Sequence, residues 1–154
     1  MTCDPIVAVE YEAMVFGRHL TSLPGRSRRS QGVLDTSAYT LLALLQVGGP
    51  ASIRQLSAIT GLDASTLNRQ TAALLRDHYA ERIPDPDGGV ARKFRITGTG
   101  ERALEEERAA SREALAALTA DWTEADRVAL GSLLGRLNRA VEQRSGRAWP
   151  RPAG

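Results

Sequence analysis

The stretch GLDASTLNRQTAALLRDH, residues 61–78, decides the fold. Leu67, Thr71, Leu74 and Leu75 recur at helical spacing and predict a face packed on a core. Turning 100° per residue from Leu67 places Ser65, Arg69, Ala72 and Arg76 near the far side, flanked by Thr66 and Asn68. That far face holds small residues and long cations and no carboxylate before Asp77. A helix that only meets solvent usually mixes in acids, because opposite charges four residues apart support each other. A helix entering a major groove needs small residues for close approach, hydroxyls and amides for base edges, and arginine for guanine or phosphate. Ser65, Thr66, Asn68 and Arg69 lie in the N-terminal half, where recognition helices meet bases, and are expected to read sequence. Arg76 is expected at a phosphate or on the free surface.

The flanking sequence supports this assignment. Ser52 followed three residues later by Gln55 fits a capping box. It opens a short helix with Ile53, Leu56 and Ile59, which stops at Gly61, and Asp63 caps the next helix. Two short helices joined at Gly61-Leu62-Asp63 make a helix-turn-helix. Downstream, YAERIPDPDGGVARKFRIT (residues 79–97) predicts strands at Tyr79–Ile83 and Val90–Thr97 around a PDPDGG turn. A hairpin in that place is a wing. Its return side carries Arg92, Lys93 and Arg95, expected against DNA, although alternation sends Arg92 and Lys93 to opposite faces. The competing explanation is an edge strand whose charges block aggregation.

Outside this module, Asp4-Pro5 signals a helix start, and the helix is expected to run to about Leu20. Thr21 to Gly32 is a breaker-rich loop whose Arg26, Arg28 and Arg29 are read as solvated. Asp35 caps TSAYTLLALLQV, which Gly48-Gly49-Pro50 ends. Thr97-Gly98-Thr99-Gly100 opens a long helix, about Glu101 to Leu118. Thr123 caps a last helix striped with Leu130, Leu133, Leu134, Leu137 and Val141. The expected architecture is a single mainly α domain with a small β-wing. Residues 34–100 form a winged helix-turn-helix, 5–22 and 101–145 form dimerisation helices, and 146–154 are a disordered tail. The long helices offer more apolar stripe than one small module covers, so a homodimer is expected.

Charge agrees with a polyanion partner. The 154 residues carry a net +2. Residues 1–50 hold four acids and four bases, 101–154 hold nine of each, and 51–100 hold seven bases against five acids. The whole excess therefore sits in residues 51–100, which hold the helix-turn-helix and the wing. Lys93 is the only lysine. No apolar run approaches the roughly 20 residues that span a bilayer, and the N-terminus lacks a signal-peptide pattern. A cytoplasmic protein without membrane contact is expected. One cysteine excludes an internal disulfide, and one cysteine with two histidines argues against structural zinc. There is no Gly-rich phosphate loop, nucleophile motif or His/Cys/Asp cluster, so neither an enzyme nor a cofactor is expected.

The arrangement resembles the MarR family of bacterial transcription regulators over about residues 5–145. SIRQLSAITGLDASTLNRQTAALL is similar to that family's paired helices, and ERIPDPDGGVARKFRITGTGERAL to its wing and to the Ile96-Thr97-x-x-Gly100 start of its fifth helix. The resemblance implies a homodimer on double-stranded DNA at a palindromic operator, commonly a repressor. Members are often released by a small lipophilic effector bound between the dimer helices and the reading module, and some sense oxidants through cysteine. Two departures stand out. The family wing usually carries Asp-x-Arg, whereas here Asp87 precedes Gly88-Gly89 and the first arginine is Arg92. The family often has glycine where His78 stands. Two other functions fit the same elements: a winged-helix adaptor that binds protein, and a redox sensor using Cys3 near a helix N-terminus.

Overall fold

A computed structural model of the chain describes residues 4–23 and 34–153. Cys3 and the loop arginines Arg26, Arg28 and Arg29 lie outside the described residues. Helix α1 spans Pro5–His19, with Asp4 capping through Ile6 N–H at 3.0 Å, and a short 3₁₀ turn follows at Leu20–Ser22. Helix α2 spans Thr36–Gly48, α3 Ile53–Thr60 and α4 Ala64–Arg76. Strands β1 (Ala80–Ile83) and β2 (Lys93–Ile96) pair antiparallel, with Ala80 opposite Ile96 and Ile83 opposite Lys93. Helix α5 spans Gly98–Leu118 and α6 Glu124–Ser145. The result is mainly helical with a small β-wing, as the sequence led us to expect.

Local chemistry sets the boundaries. Asp35, Asp63, Thr97 and Thr123 each accept a backbone N–H at a helix start. Ser52 and Gln55 form both halves of a capping box, at 3.2 and 2.9 Å. Gly61 ends α3 in the left-handed region at φ +74, the conformation that glycine adopts at least cost. The turn is then locked from both sides: Ser57 Oγ donates to Leu62 O at 2.7 Å, and Leu62 N–H donates to Thr60 Oγ1 at 3.2 Å. Helix α4 ends at Arg76. His78 there takes φ 59, which accounts for the glycine the family often places at this position.

One core lies inside the winged module. Leu41, Leu42, Leu44 and Leu45 of α2 meet Leu56 of α3, Leu67 and Leu74 of α4, Phe94 of β2 and Leu104 of α5. Each leucine buried this fully contributes roughly 1.5–3 kcal/mol. Thr71 is buried among them and satisfies its hydroxyl on Leu67 O at 2.8 Å. The loop before α3 adds a third short rung to the wing, because Ala51 and Phe94 exchange backbone hydrogen bonds of 3.1 and 2.8 Å. Glu107 of α5, buried to 2% exposure, accepts Leu34 N–H at 2.9 Å and so ties α5 to the chain entering α2. No local pattern signals this contact, because Leu34 and Glu107 are 73 residues apart.

The strands are shorter than expected. Val90 to Arg92 lie outside β2, and Val90 is fully exposed. The tail, expected to be disordered, instead folds back. Gly146 caps α6 in the left-handed region, Trp149 N–H donates to Glu142 Oε2 at 3.2 Å, and Arg151 pairs with both oxygens of Glu142. Glu142 therefore titrates at about 2, chiefly because Arg151 hydrogen-bonds it. Among the described residues no helix is long and apolar enough to cross a membrane.

The Thr97-x-x-Gly100 motif joins the wing to α5. Thr97 Oγ1 donates to His78 O at 2.6 Å and accepts Gly100 N–H at 3.1 Å, while Thr97 N–H donates to Tyr79 O at 3.0 Å. A Cβ on Gly100 would sit 2.1 Å from Tyr79 O, so backbone would have to move. Gly100→Ala is expected to cost about 1–3 kcal/mol of unfolding free energy in urea titrations. A variant as stable as the parent would show that this close approach relaxes without cost.

Candidate nucleic-acid interface

Burial of Leu67, Thr71 and Leu74 turns the opposite face of α4 outward. Ser65, Asn68, Arg69 and Arg76 are exposed and Thr66 is half-buried. Asp63 organises the start of this face. Its Oδ1 accepts Thr66 N–H at 2.8 Å and the Ser65 hydroxyl at 2.7 Å, and its Oδ2 accepts the Thr66 hydroxyl at 3.0 Å. The Thr66 N–H, followed by the two hydroxyls, holds the Asp63 carboxyl at about 2, against 3.8 ordinarily. Ser65 and Thr66 thus spend their protons inside the protein and present only lone pairs outward.

Asn68 and Arg69 have no side-chain hydrogen bond or ion pair among the described residues. Arg69 borders a cleft of about 710 Å³ between α4 and the N-terminal turn of α2, together with Asp35, Ser37, Gln70 and Trp149. Gln70 Oε1 is buried beside it without a partner among the described residues. Arg76 lies at the far end of α4, its Nε 3.8 Å from Asp77 Oδ1, both side chains mostly exposed.

In the wing, the three expected cations take three different environments. Arg92 is exposed and has no ion pair among the described residues. Arg95 is exposed but chelates Glu81 Oε1 through Nε and Nη2 at 2.9 and 2.6 Å, as their direct pairing across the strands dictates. Lys93 corrects the expectation of an outward cation. It is buried to 8% exposure, with Nζ 3.1 Å from Asp85 Oδ1 and 3.9 Å from Asp87 Oδ2. The cause is the turn. Asp85 Oδ1 accepts Asp87 N–H at 2.9 Å, which folds the carboxylate inward to where Lys93 begins β2. That N–H, then the Lys93 ammonium, lowers the Asp85 pKa. Sequence reasoning also missed Arg82, whose guanidinium sits 5.5 Å from the Phe94 ring centroid. Only the strand register, which sets Arg82 opposite Phe94, reveals it. Among the described residues no group of three or more His, Cys, Asp or Glu side chains is placed to hold a metal.

A winged helix-turn-helix with an exposed, carboxylate-free second helix has the shape and charge of a nucleic-acid-binding module. No family model matches the chain. The HTH-type transcriptional regulator YxaD of Bacillus subtilis (strain 168) is 34% identical over 137 residues, spanning 89% of this chain and 95% of its own. A MarR family protein from Bacillus stearothermophilus superposes with a TM-score of 0.74 at 20% identity, over 91% of this chain and 99% of that one. The PcaV transcriptional regulator from Streptomyces coelicolor, solved with its natural ligand, superposes with a TM-score of 0.64 at 19% identity, over 92% and 99%. The chain belongs to the HTH-type transcriptional regulators, and its fold is that of the MarR family protein it superposes on.

The Asp63 cap carries a pH signature. Its pKa is depressed on folding, so its contribution is complete above the ordinary value of 3.8 and is lost as pH falls toward about 2. Asp63→Asn, which still caps but cannot ionise, is expected to flatten that acid limb in urea unfolding measured from pH 5 down to roughly pH 2. An acid limb identical to the parent's would detach Asp63 from it.

Proposed function

We propose that the chain is a cytoplasmic homodimeric repressor that reads a palindromic operator with α4. The observation that carries this proposal is the outward face of α4: Asn68 and Arg69 are exposed and unpaired among the described residues, and no carboxylate interrupts residues 64–76. Arg69 supplies bidentate donors for guanine or a phosphate, and Asn68 supplies an amide for adenine. With their protons committed to Asp63, Ser65 and Thr66 meet bases as acceptors, which favours the amino groups of adenine or cytosine. Arg76 and Arg92 position the helix on the backbone. Lys93 is left out of the contact set, and Arg95 is divided between Glu81 and phosphate.

Dimerisation is supported by what the single chain leaves uncovered. Helices α1 and α6 bury no residue within one chain. Ile6, Val7, Met14 and Phe16 on α1, and Leu133, Leu134, Leu137 and Val141 on α6, stand 38–62% exposed. A stripe that large on a water-soluble chain calls for an apolar partner, and a second copy supplies the same stripe. The cleft beside Arg69 supports effector control: a small molecule there would touch the reading helix and α2 at once. PcaV, a structural neighbour, is known with its natural ligand.

Arg69→Ala is expected to weaken operator binding by about 1–3 kcal/mol and to relax the sequence preference at one base step. Fluorescence anisotropy on footprinted operator and on point-mutated duplexes reads both effects. Unchanged affinity and preference would remove α4 from base reading. For the dimer, Leu137→Glu should shift sedimentation from twice the chain mass toward one, and a parent already sedimenting at one chain mass would refute the assembly.

A further inference from the structure

Glu107 already ties α5 to the chain entering α2, and the apolar stripes serve the proposed dimer, so the C-terminal segment from Arg147 onward is left without a role. The segment carries an inference furthest, because it returns to the reading head. Beyond α6, Pro150 packs on the end of α2, where a Cβ on Gly48 would lie 3.6 Å from Pro150 Cγ. Trp149 joins Thr60, Leu62 and Arg69 in the wall of the cleft. Arg151 and Trp149 N–H both engage Glu142, so the return is pinned at its far end.

This path delivers Arg147 to the helix-turn-helix turn. A Cβ on Gly61 would lie 2.7 Å from Arg147 Nη1 and 2.8 Å from its Cζ, so the guanidinium rests directly on the glycine. A side chain at position 61 would push it away, and the left-handed backbone there already favours glycine. The two tail arginines differ in availability. Arg151 is neutralised by Glu142, whereas Arg147 is exposed and has no side-chain hydrogen bond or ion pair among the described residues. A guanidinium lying flat on a glycine keeps its N–H edge free, and N–H edges are what a phosphate takes.

We infer that Arg147, held over the α3–α4 turn by the folded-back C-terminal segment, is a further contact to the DNA phosphate backbone, next to the start of the reading helix. It contributes position and affinity without base preference. The inference rests on the DNA-binding proposal above. It also gives the segment a chemical reason to fold back: Glu142 and Arg151 satisfy each other, and Arg147 is left charged at the edge of the interface.

The test measures binding of a short mixed-sequence duplex against salt, for the full-length chain and four variants. Arg147→Ala is expected to make the slope of log K against log salt less negative by about 0.9 for each protomer bound. Ending the chain after Gly146 removes Arg147 and Arg151 together and is expected to give the same change, because Arg151 is already paired. Arg144→Ala, an exposed arginine in the last turn of α6 that is not among the groups nearest Gly61, should leave the slope unchanged. A parental slope in Arg147→Ala would overturn the inference, as would equal losses for Arg144→Ala and Arg147→Ala, or a doubled loss on truncation, since these indicate a diffuse charge effect. Arg92→Ala separates the two levels. If it lowers the slope while Arg147→Ala does not, only the present inference fails; if neither variant nor the parent shows salt-dependent binding, the DNA-binding proposal fails with it.

Discussion

Leu67, Thr71 and Leu74 lose nearly all contact with water on one side of a single helix, and what the other side presents follows from that burial. A rotation of α4 by one residue would bring Asn68 in one sense, or Thr66 and Gln70 in the other, toward Leu41 and Leu56, at the cost of burying an unpaired polar group. The outward face is therefore held by the price of every alternative as much as by its own contacts. The αL turn at Gly61 and the Asp63 cap fix where along its axis the helix begins, so its rotation and its axial position are both set by residues that never meet a partner.

The same division runs through the whole chain. In the winged module apolar side chains face one another, and polar groups are used at caps and turns. In α1 and α6 no side chain is buried among the described residues. Helix α5 belongs to both regimes: Ala103 and Leu104 are buried against the module, whereas Leu115 and Leu118 near its other end are exposed. A single continuous helix thus joins the winged module to the apolar stripes. Glu107, between these two ends, holds the chain where it enters α2, so a tilt of α5 would be felt at the N-terminal turn of α2 and in the cleft there.

Most helix starts are legible in the sequence because capping is local: Asp4, Asp35, Ser52, Asp63 and Thr123 each act within three residues of the groups they satisfy, whereas α5 starts at Gly98 behind the Thr97 cap, three residues ahead of the expected Glu101. The apolar face of α4 was legible for a similar reason, since its period is a property of one helix. Side-chain direction around the wing was not. Alternation correctly separates Arg92 from Lys93, but the inward turn of Lys93 depends on Asp85 being folded in by Asp87 N–H. The order of the tail was hidden too, because its composition suits a free end, and only Glu142, the end of α2 and the Gly61 turn, brought together by the fold, give it somewhere to bind. Arg82 on Phe94 and Glu107 on Leu34 fail in the same way: each joins residues whose separation in sequence carries no periodic signal.

The Asp63 network has a consequence for the kinetics of recognition. A serine or threonine on a bare helix surface samples several rotamers and proton orientations, and selecting one of them costs entropy at the moment of contact. Here the Ser65 and Thr66 hydroxyls are already oriented by one carboxylate. Little freedom is left for these two groups to lose on meeting a duplex. If α4 reads bases as proposed, a mismatched base that offers an acceptor instead of an amino group would face two oriented lone pairs, and the wrong complex would dissociate faster.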